Sequence, residues 1–328
     1  MKASLHSRYG PADRLQIQDI ECPIPRSDEI LVKIHAATVS SGDCNIRNFT
    51  FVSRFMRPLA QLMFGVGKPW KPRVLGTEVA GEVVGTGSGV TRFQIGDPVV
   101  ASTGMMGGGH AQYICLREDS VVTLKPESLS WQEAVAIPFG ANTALVFLQD
   151  CARLEAGQTV LIIGASGSVG SAAVQLAKHL GATVTAVCSG ANAELVKSLG
   201  ADQVVDYTRE DFTALPATYD IVFDVVGASS FAQCQAVLNP RGVFLPCILS
   251  LSDMMWIPWT AVRPGKRIRG SVAMQDVGRL QLILGLADIG VLRPVIDRTY
   301  PLDDIAEAFK YVELGHKRGN VVITVVHS

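Results

Sequence analysis

The chain has 328 residues, 48% of them hydrophobic and 18% charged, a well-packed composition too long for one hydrophobic core, since single cores stop growing near roughly 250–300 residues. Two domains are expected. A formal net charge of −1 offers no overall field for nucleic acid or an anionic membrane, which argues against a general polyanion binder.

In chain order, MKASLHSRYG (residues 1–10) lacks the apolar core of a signal peptide, and no later run reaches the roughly 18 uninterrupted apolar residues of a membrane span. The expected location is cytoplasmic. EILVKIHAATVS, EVAGEVVGTGSGVTRFQIGDPVVA and HAQYICLREDSVVTL then carry β-branched runs broken by glycine and aspartate, which predicts a mainly antiparallel β domain. From about Leu129 apolar strands alternate with helices. TVLIIGA, TVTAVCS, QVVDYT, YDIVFDVVG and GVFLPCIL read as strands, while SVGSAAVQLAKHLG, AELVKSLGA and FAQCQAVLN read as helices. Val174, Leu176, Ala177 and Leu180 give the first helix its apolar face. Right-handed crossovers between such units yield a doubly wound parallel sheet. LDDIAEAFKYVELG and NVVITVV close the chain as a helix and a strand that return to the first domain. The expected fold is therefore α/β, with a β-rich domain of residues 1–125 and 272–328 around a parallel-sheet domain of residues 126–271. Seven cysteines with no C-x-x-C pair suggest neither a disulfide framework nor a zinc ribbon.

Between the first strand and helix of the second domain, Gly164, Gly167 and Gly170 form G-x-x-G-x-x-G. That context predicts a dinucleotide site, because glycine lets backbone N–H groups and a helix N-terminus approach a pyrophosphate. Ser166 and Ser168 add hydroxyls, and Val169 completes the turn. An NAD-selective site carries Asp or Glu at the end of the second strand; here that place reads Cys188-Ser189-Gly190-Ala191-Asn192. Ser189 and Asn192, with Tyr207 and Arg209 on the next strand end, would meet a 2′-phosphate without repulsion, so NADPH is expected, with NADH the weaker ligand.

VLGTEVAGEVVGTGSGVTRFQIGDPVVA, AVAIPFGANTALVFL, GASGSVGSAAVQLAKHLGA, KSLGADQVVDYT, GKRIRGSV and GNVVI together span nearly the whole chain. As a set they resemble the medium-chain dehydrogenase/reductase superfamily, and more narrowly its zinc-free quinone oxidoreductase branch. The resemblance implies a GroES-like catalytic domain from both chain ends, a Rossmann domain between them, a cofactor in the cleft and a homodimer, for which Arg267–Val272 is a candidate edge strand. It also implies that Ser40, Asp43, Asn45 and Thr143 serve the nicotinamide end, that Thr143 bonds the carboxamide, and that Gly227 and Asn320 contact the cofactor. The branch commonly has Asn where Ser40 stands, and Asp43 has an alternative role in fixing its own loop.

Zinc enzymes of the superfamily hold metal with Cys, His and Cys, whereas the matching places here read Ser40, Thr77 and about Phe139. No zinc is expected, Cys44 and His110 being without a third partner. Reduction of a simple ketone leans on such a Lewis acid, whereas hydride delivered to a quinone or an enone spreads its charge over a π system. The expected function is NADPH-dependent reduction of a small apolar quinone or conjugated carbonyl, by positioning and with no clear general acid. Two segments, residues 48–76 and the SDMMWIPWTAVRPG loop at 252–265, are candidate substrate lids. For the first, packing of Phe51, Phe55, Met56, Leu62 and Phe64 in a short helix, or a membrane-surface contact, stand as alternatives. Rival functions are an enoyl-thioester reductase, with Arg54, Arg57, Lys68 and Lys71 on a carrier phosphate, and an NADPH-binding sensor without turnover.

Overall fold

β-Branched residues alternating with polar ones build the first sheet. In the computed structural model, which describes residues 1–50, 57–71 and 73–327, the N-terminal part forms strands β1 (Lys2–His6), β2 (Leu15–Asp19) and β3 (Glu29–Val39), then helices α1 (Ser41–Asn48) and α2 (Arg57–Phe64). Strands β4 (Arg73–Val74), β5 (Glu78–Thr86), β6 (Pro98–Ser102), β7 (Tyr113–Arg117) and β8 (Val122–Leu124) and helix α3 (Trp131–Ala136) follow. Along β3 the residues Ile30, Val32, Ile34 and Ala36 point inward, each fully buried, as period-two alternation requires.

The second region opens with α4 (Pro138–Leu145), which continues as π-helical turns over Val146–Cys151. Then come β9 (Thr159–Ile163), α5 (Ser168–His179), β10 (Thr183–Cys188), α6 (Ala193–Ser198), β11 (Gln203–Asp206), β12 (Tyr219–Asp224), α7 (Phe231–Cys234), β13 (Leu238–Pro246), α8 (Leu251–Val262) and β14 (Arg267–Ile268). These strands form one parallel sheet in the order β11-β10-β9-β12-β13-β14. That is the doubly wound order whose reversal point lies between β9 and β12. Leu161, Ile163, Val187, Val222 and Phe244 fill its core, and the continuous apolar run of β9 suits a strand covered on both faces.

The chain closes with α9 (Val277–Asp288), β15 (Ile296–Pro301), α10 (Ile305–Glu313) and β16 (Asn320–Thr324). β16 pairs antiparallel with β3, from Val321 opposite Val39 to Thr324 opposite Ala36, and parallel with β15. Both chain ends therefore share one sheet, ordered β15-β16-β3-β5-β6-β8 with β7 also on β3. Ile30, Val79, Val99, Phe309 and Val321 meet in its core.

The compact units are Met1–Pro138 with Gln275–Asp288 and Pro294–Ser328, and Phe139–Met274 with Ile289–Arg293. The first division thus falls at 138/139 rather than the expected 125/126. Helix α3 is the reason: a capping box, in which Ser130 Oγ accepts from Glu133 N at 3.2 Å and Glu133 Oε2 accepts from Ser130 N at 2.9 Å, starts it, and it packs on β3, β5 and β16. The short excursion at 289–293 is tied to α5 by Gln175, which donates to Arg293 O and accepts from Arg293 N.

Three local expectations need correction. Residues 252–265 do not form a loop: Ser250 caps Asp253 N, Asp253 accepts in return, and α8 runs through Pro258 to Val262. Proline here is a helix residue in spite of its missing donor. FAQCQAVLN is α-helical at Phe231–Cys234 and continues as a 3₁₀ turn of helix at Gln235–Val237, its last two residues opening β13. Within 48–76, α2 turns Leu59, Leu62 and Met63 outward and buries Ala60, so Leu62 does not pack a core; Tyr9 donates to Phe64 O. Phe51, Arg54, Phe55 and Met56 lie outside the described residues.

Candidate functional site

In the parallel-sheet unit the chain leaves β9 through Gly164, whose φ of +83° is a left-handed value that side chains rarely adopt. Gly164 N and Ala165 N both donate to Val187 O of β10, which folds the turn over the end of the sheet. Gly170 is fixed by closeness, because a Cβ there would lie 2.2 Å from Gly164 O. Gly140 on α4 has the same constraint against Ser168 O, at 2.4 Å, a close approach that the glycine spacing of the turn itself does not announce. Gly167 is the N-cap of α5 and offers no capping side chain. The helix therefore presents the N–H groups of its first turn, at Ser168, Val169 and Gly170, at its positive end, a ready-made cradle for an anion.

The second strand brings its end to the same place. Asn192 Nδ2 donates to Ser166 Oγ at 3.0 Å, so two predicted residues are bonded to each other, and Asn192 Oδ1 is buried without a partner. One donor of Asn192 is thus already committed to the glycine turn. Ser189 starts the bend after β10. The absence of a carboxylate holds for β10 itself but not for its surroundings, since a Cβ on Gly190 would lie 2.4 Å from Asp206 Oδ2 at the end of β11. The Asp206 carboxylate accepts from Thr208 Oγ1 and Thr208 N, which hold its pKa below the usual range, and Arg209 Nε stands 3.6 Å away. Tyr207 and Arg209 are exposed beside it. The next loop is organised by a residue that sequence reading passed over. Asp224, fully buried at the end of β12, accepts from the backbone N–H groups of Val226, Gly227, Ala228 and Ser229 at 2.7 to 3.3 Å, and so sets the position of Gly227. An apolar strand ending in Asp before V-V-G is the sequence signal for it. On α4, Thr143 Oγ1 donates to Phe139 O, which leaves its lone pairs free to accept.

The β-rich unit gathers a second polar cluster. Ser40 and Asp43 form the capping box that starts α1: Asp43 Oδ2 accepts from Ser40 N and Ser40 Oγ, and Asp43 Oδ1 accepts from Gly76 N at 3.1 Å. Asp43 is fully buried and both its oxygens hold loops, a positioning role for the 40–43 and 76–78 turns. Asn45 is exposed and accepts from Thr50 Oγ1, and Asn320 Nδ2 donates to Val295 O. His110, fully buried, donates through Nε2 to Thr38 O, while Nδ1 has no partner; burial lowers its pKa, so the ring is neutral. Thr38 Oγ1 donates to the buried Glu78. Burial lowers the Lys317 ammonium to about 8, against the opposing pull of Asp297, Cys44 and Glu78.

As zinc ligands these groups fit poorly. Ser40 and Thr77 supply hydroxyls, the Cys44 thiol is pushed up to about 12 by burial, and His110 spends Nε2 on a carbonyl. Among the described residues no three His, Cys, Asp or Glu side chains converge as a metal site.

Comparison with known proteins agrees with this architecture. Residues 26–126 match the family model described as alcohol dehydrogenase GroES-like domain, and residues 199–323 the one described as zinc-binding dehydrogenase. The chain is 32% identical over 335 residues to the chloroplastic quinone-oxidoreductase homolog of Spinacia oleracea, covering 98% of each. It is also 32% identical to the chloroplastic NADPH-dependent alkenal/one oxidoreductase of Arabidopsis thaliana, covering 98% of this chain and 79% of that one. The structure of the quinone oxidoreductase from Coxiella burnetii superposes with a TM-score of 0.86 at 31% identity over 99% of both chains.

Proposed function

The chain belongs to the medium-chain dehydrogenase/reductase superfamily, in its zinc-free quinone oxidoreductase-like branch, and on that premise we propose that it is an NADPH-dependent, metal-independent reductase of quinones or other conjugated carbonyls. That it is an oxidoreductase with a nicotinamide cofactor follows from its relatives; the finer reading is supported chiefly by one observation. The uncapped N-terminus of α5, reached through a glycine turn too tight for any side chain at Gly170, faces a second strand end that carries Ser189 and Asn192 and no carboxylate of its own.

The cofactor would supply a hydride, and the protein the rest. The first-turn N–H groups of Ser168, Val169 and Gly170 would hold the pyrophosphate, Ser189 with exposed Tyr207 and Arg209 the 2′-phosphate, and Thr143 Oγ1 would accept from the carboxamide. The hydroxyl-rich Ser40 and Thr77 positions favour an acceptor that delocalises its own charge, because nothing at those places replaces a Lewis acid. The proposed substrate is small and apolar, the proposed location cytoplasmic and the proposed assembly a homodimer.

The test is loss of NADPH absorbance with chelator-treated protein offered 1,4-benzoquinone, an enone, a crotonyl thioester and an alcohol–ketone pair, with NADH in parallel. Rapid oxidation by the quinone or enone, and faster with NADPH than NADH, is the expected result. Turnover restricted to the alcohol–ketone pair, or activity restored by one equivalent of zinc, would overturn the proposal.

A further inference from the structure

At the opposite end of the parallel sheet from the glycine turn lies a cavity of about 860 Å³, within the range of small-molecule sites. Asp220, Asn239 and Arg267 place it at the starts of β12, β13 and β14, whereas the glycine turn follows the far end of β9, a strand length or roughly 15 Å away. Four arginines line it: Arg153, Arg241, Arg267 and Arg269. Arg269 is anchored by donating to Cys151 O at 2.8 Å. The guanidinium groups of Arg153, Arg241 and Arg267 make no hydrogen bond or ion pair among the described residues, so three forked donors stand ready.

The four guanidinium groups outnumber the two carboxylates of the wall, which are Asp220, accepting from Thr159 N, Thr159 Oγ1 and Asn239 Nδ2, and Glu155 on the exposed rim. Arg153 itself takes φ +57° as the left-handed stop of the helix before it, with Arg153 N donating to Gln149 O and Leu154 N to Leu148 O, a position that glycine usually fills.

We propose that this arginine-lined cavity is a second ligand site, distinct from the cofactor site, for a small anion bearing clustered phosphates. Arginine forks match phosphate oxygens in pairs, and three uncommitted forks around one cavity favour several phosphates over one. A soluble polyphosphate and the headgroup of a polyphosphorylated lipid share this chemistry.

Calorimetric titration of the full chain with inorganic tripolyphosphate, and flotation with phosphatidylcholine vesicles with or without phosphatidylinositol bisphosphate, separate the two sources. Saturable binding in either arm, weakened roughly tenfold by Arg241→Ala and by Arg267→Ala and falling with added salt, supports the site. Arg153→Gly should weaken binding while raising Tm, because glycine relieves the strained backbone, so its loss of affinity is separable from unfolding. Absence of binding in both arms, or equal affinity in the three variants and the parent, would overturn the proposal. Neither result depends on whether the protein reduces quinones.

Discussion

Glycine 170 and histidine 6 show how far single residues carry function and stability. A methyl group at Gly170 must displace the Gly164 carbonyl from 2.2 Å, and backbone cannot give way as a flexible side chain would. Gly170→Ala should therefore cost about 1–3 kcal/mol and abolish NADPH binding, checked by fluorescence titration beside a thermal melt. An unchanged affinity would mean the turn does not hold the cofactor. His6 is buried with Nε2 unpartnered, and burial, followed by Arg47 and Arg73, lowers its pKa from 6.5 to about 4. The unfolded chain takes a proton near pH 6.5 that the folded chain refuses until about 4. Its neutral-state stabilisation is thus complete above 6.5 and is lost as pH falls toward 4, by on the order of 3 kcal/mol. Urea midpoints across that window should fall steeply in the parent and less in His6→Phe. The glycine pattern was legible in the sequence because a backbone requirement admits one residue type; the His6 environment was not, since burial is a property of what surrounds a residue.

Secondary-structure elements were legible where a single period governed them. The apolar run of β9 and the spaced apolar residues of α5 needed no tertiary information, because each element buries a face set by its own geometry. Helix α8 shows the opposite case. Its capping box at Ser250 and Asp253 is written in the sequence, but Pro258 and the outward-facing Met254, Met255 and Trp259 contradict an ordinary amphipathic helix. Trp259 is covered in part by Arg263, whose guanidinium lies 3.5 Å from the ring centre. Because Pro258 removes one helical donor, Pro258→Ala should stabilise the protein by roughly 2 kcal/mol, read as a higher Tm with unchanged activity. A lower Tm would show that the helix is bent to a purpose that proline serves.

Across the whole chain, the β-rich unit depends on contacts between residues hundreds of positions apart. Arg47 on α1, its side chain fully buried, pairs with Glu313 on α10 and stacks at 5.1 Å on Phe309, while its Nε and Nη1 remain unsatisfied. Removing only the acid would strand a buried cation, so Glu313→Ala should cost about 2 kcal/mol or more, whereas Arg47→Met, which removes the charge and keeps the bulk, should cost less. Equal losses in chemical denaturation would show that packing rather than charge dominates there. The same distinction separates what the two levels of description determined. By itself the sequence determined the two-part α/β architecture, the tight glycine turn ahead of α5 and the poor zinc ligands at Ser40 and Thr77, because periodicity, glycine and ligand chemistry are local properties of residue type. Only the tertiary structure decided that Asp206 stands beside the Ser189 bend, that Asp224 holds the Gly227 loop, that the 252–265 segment is helical as far as Val262 and that four arginines share one cavity. A net charge of −1 sums over the whole chain, whereas a field at a site depends on which charges folding brings together.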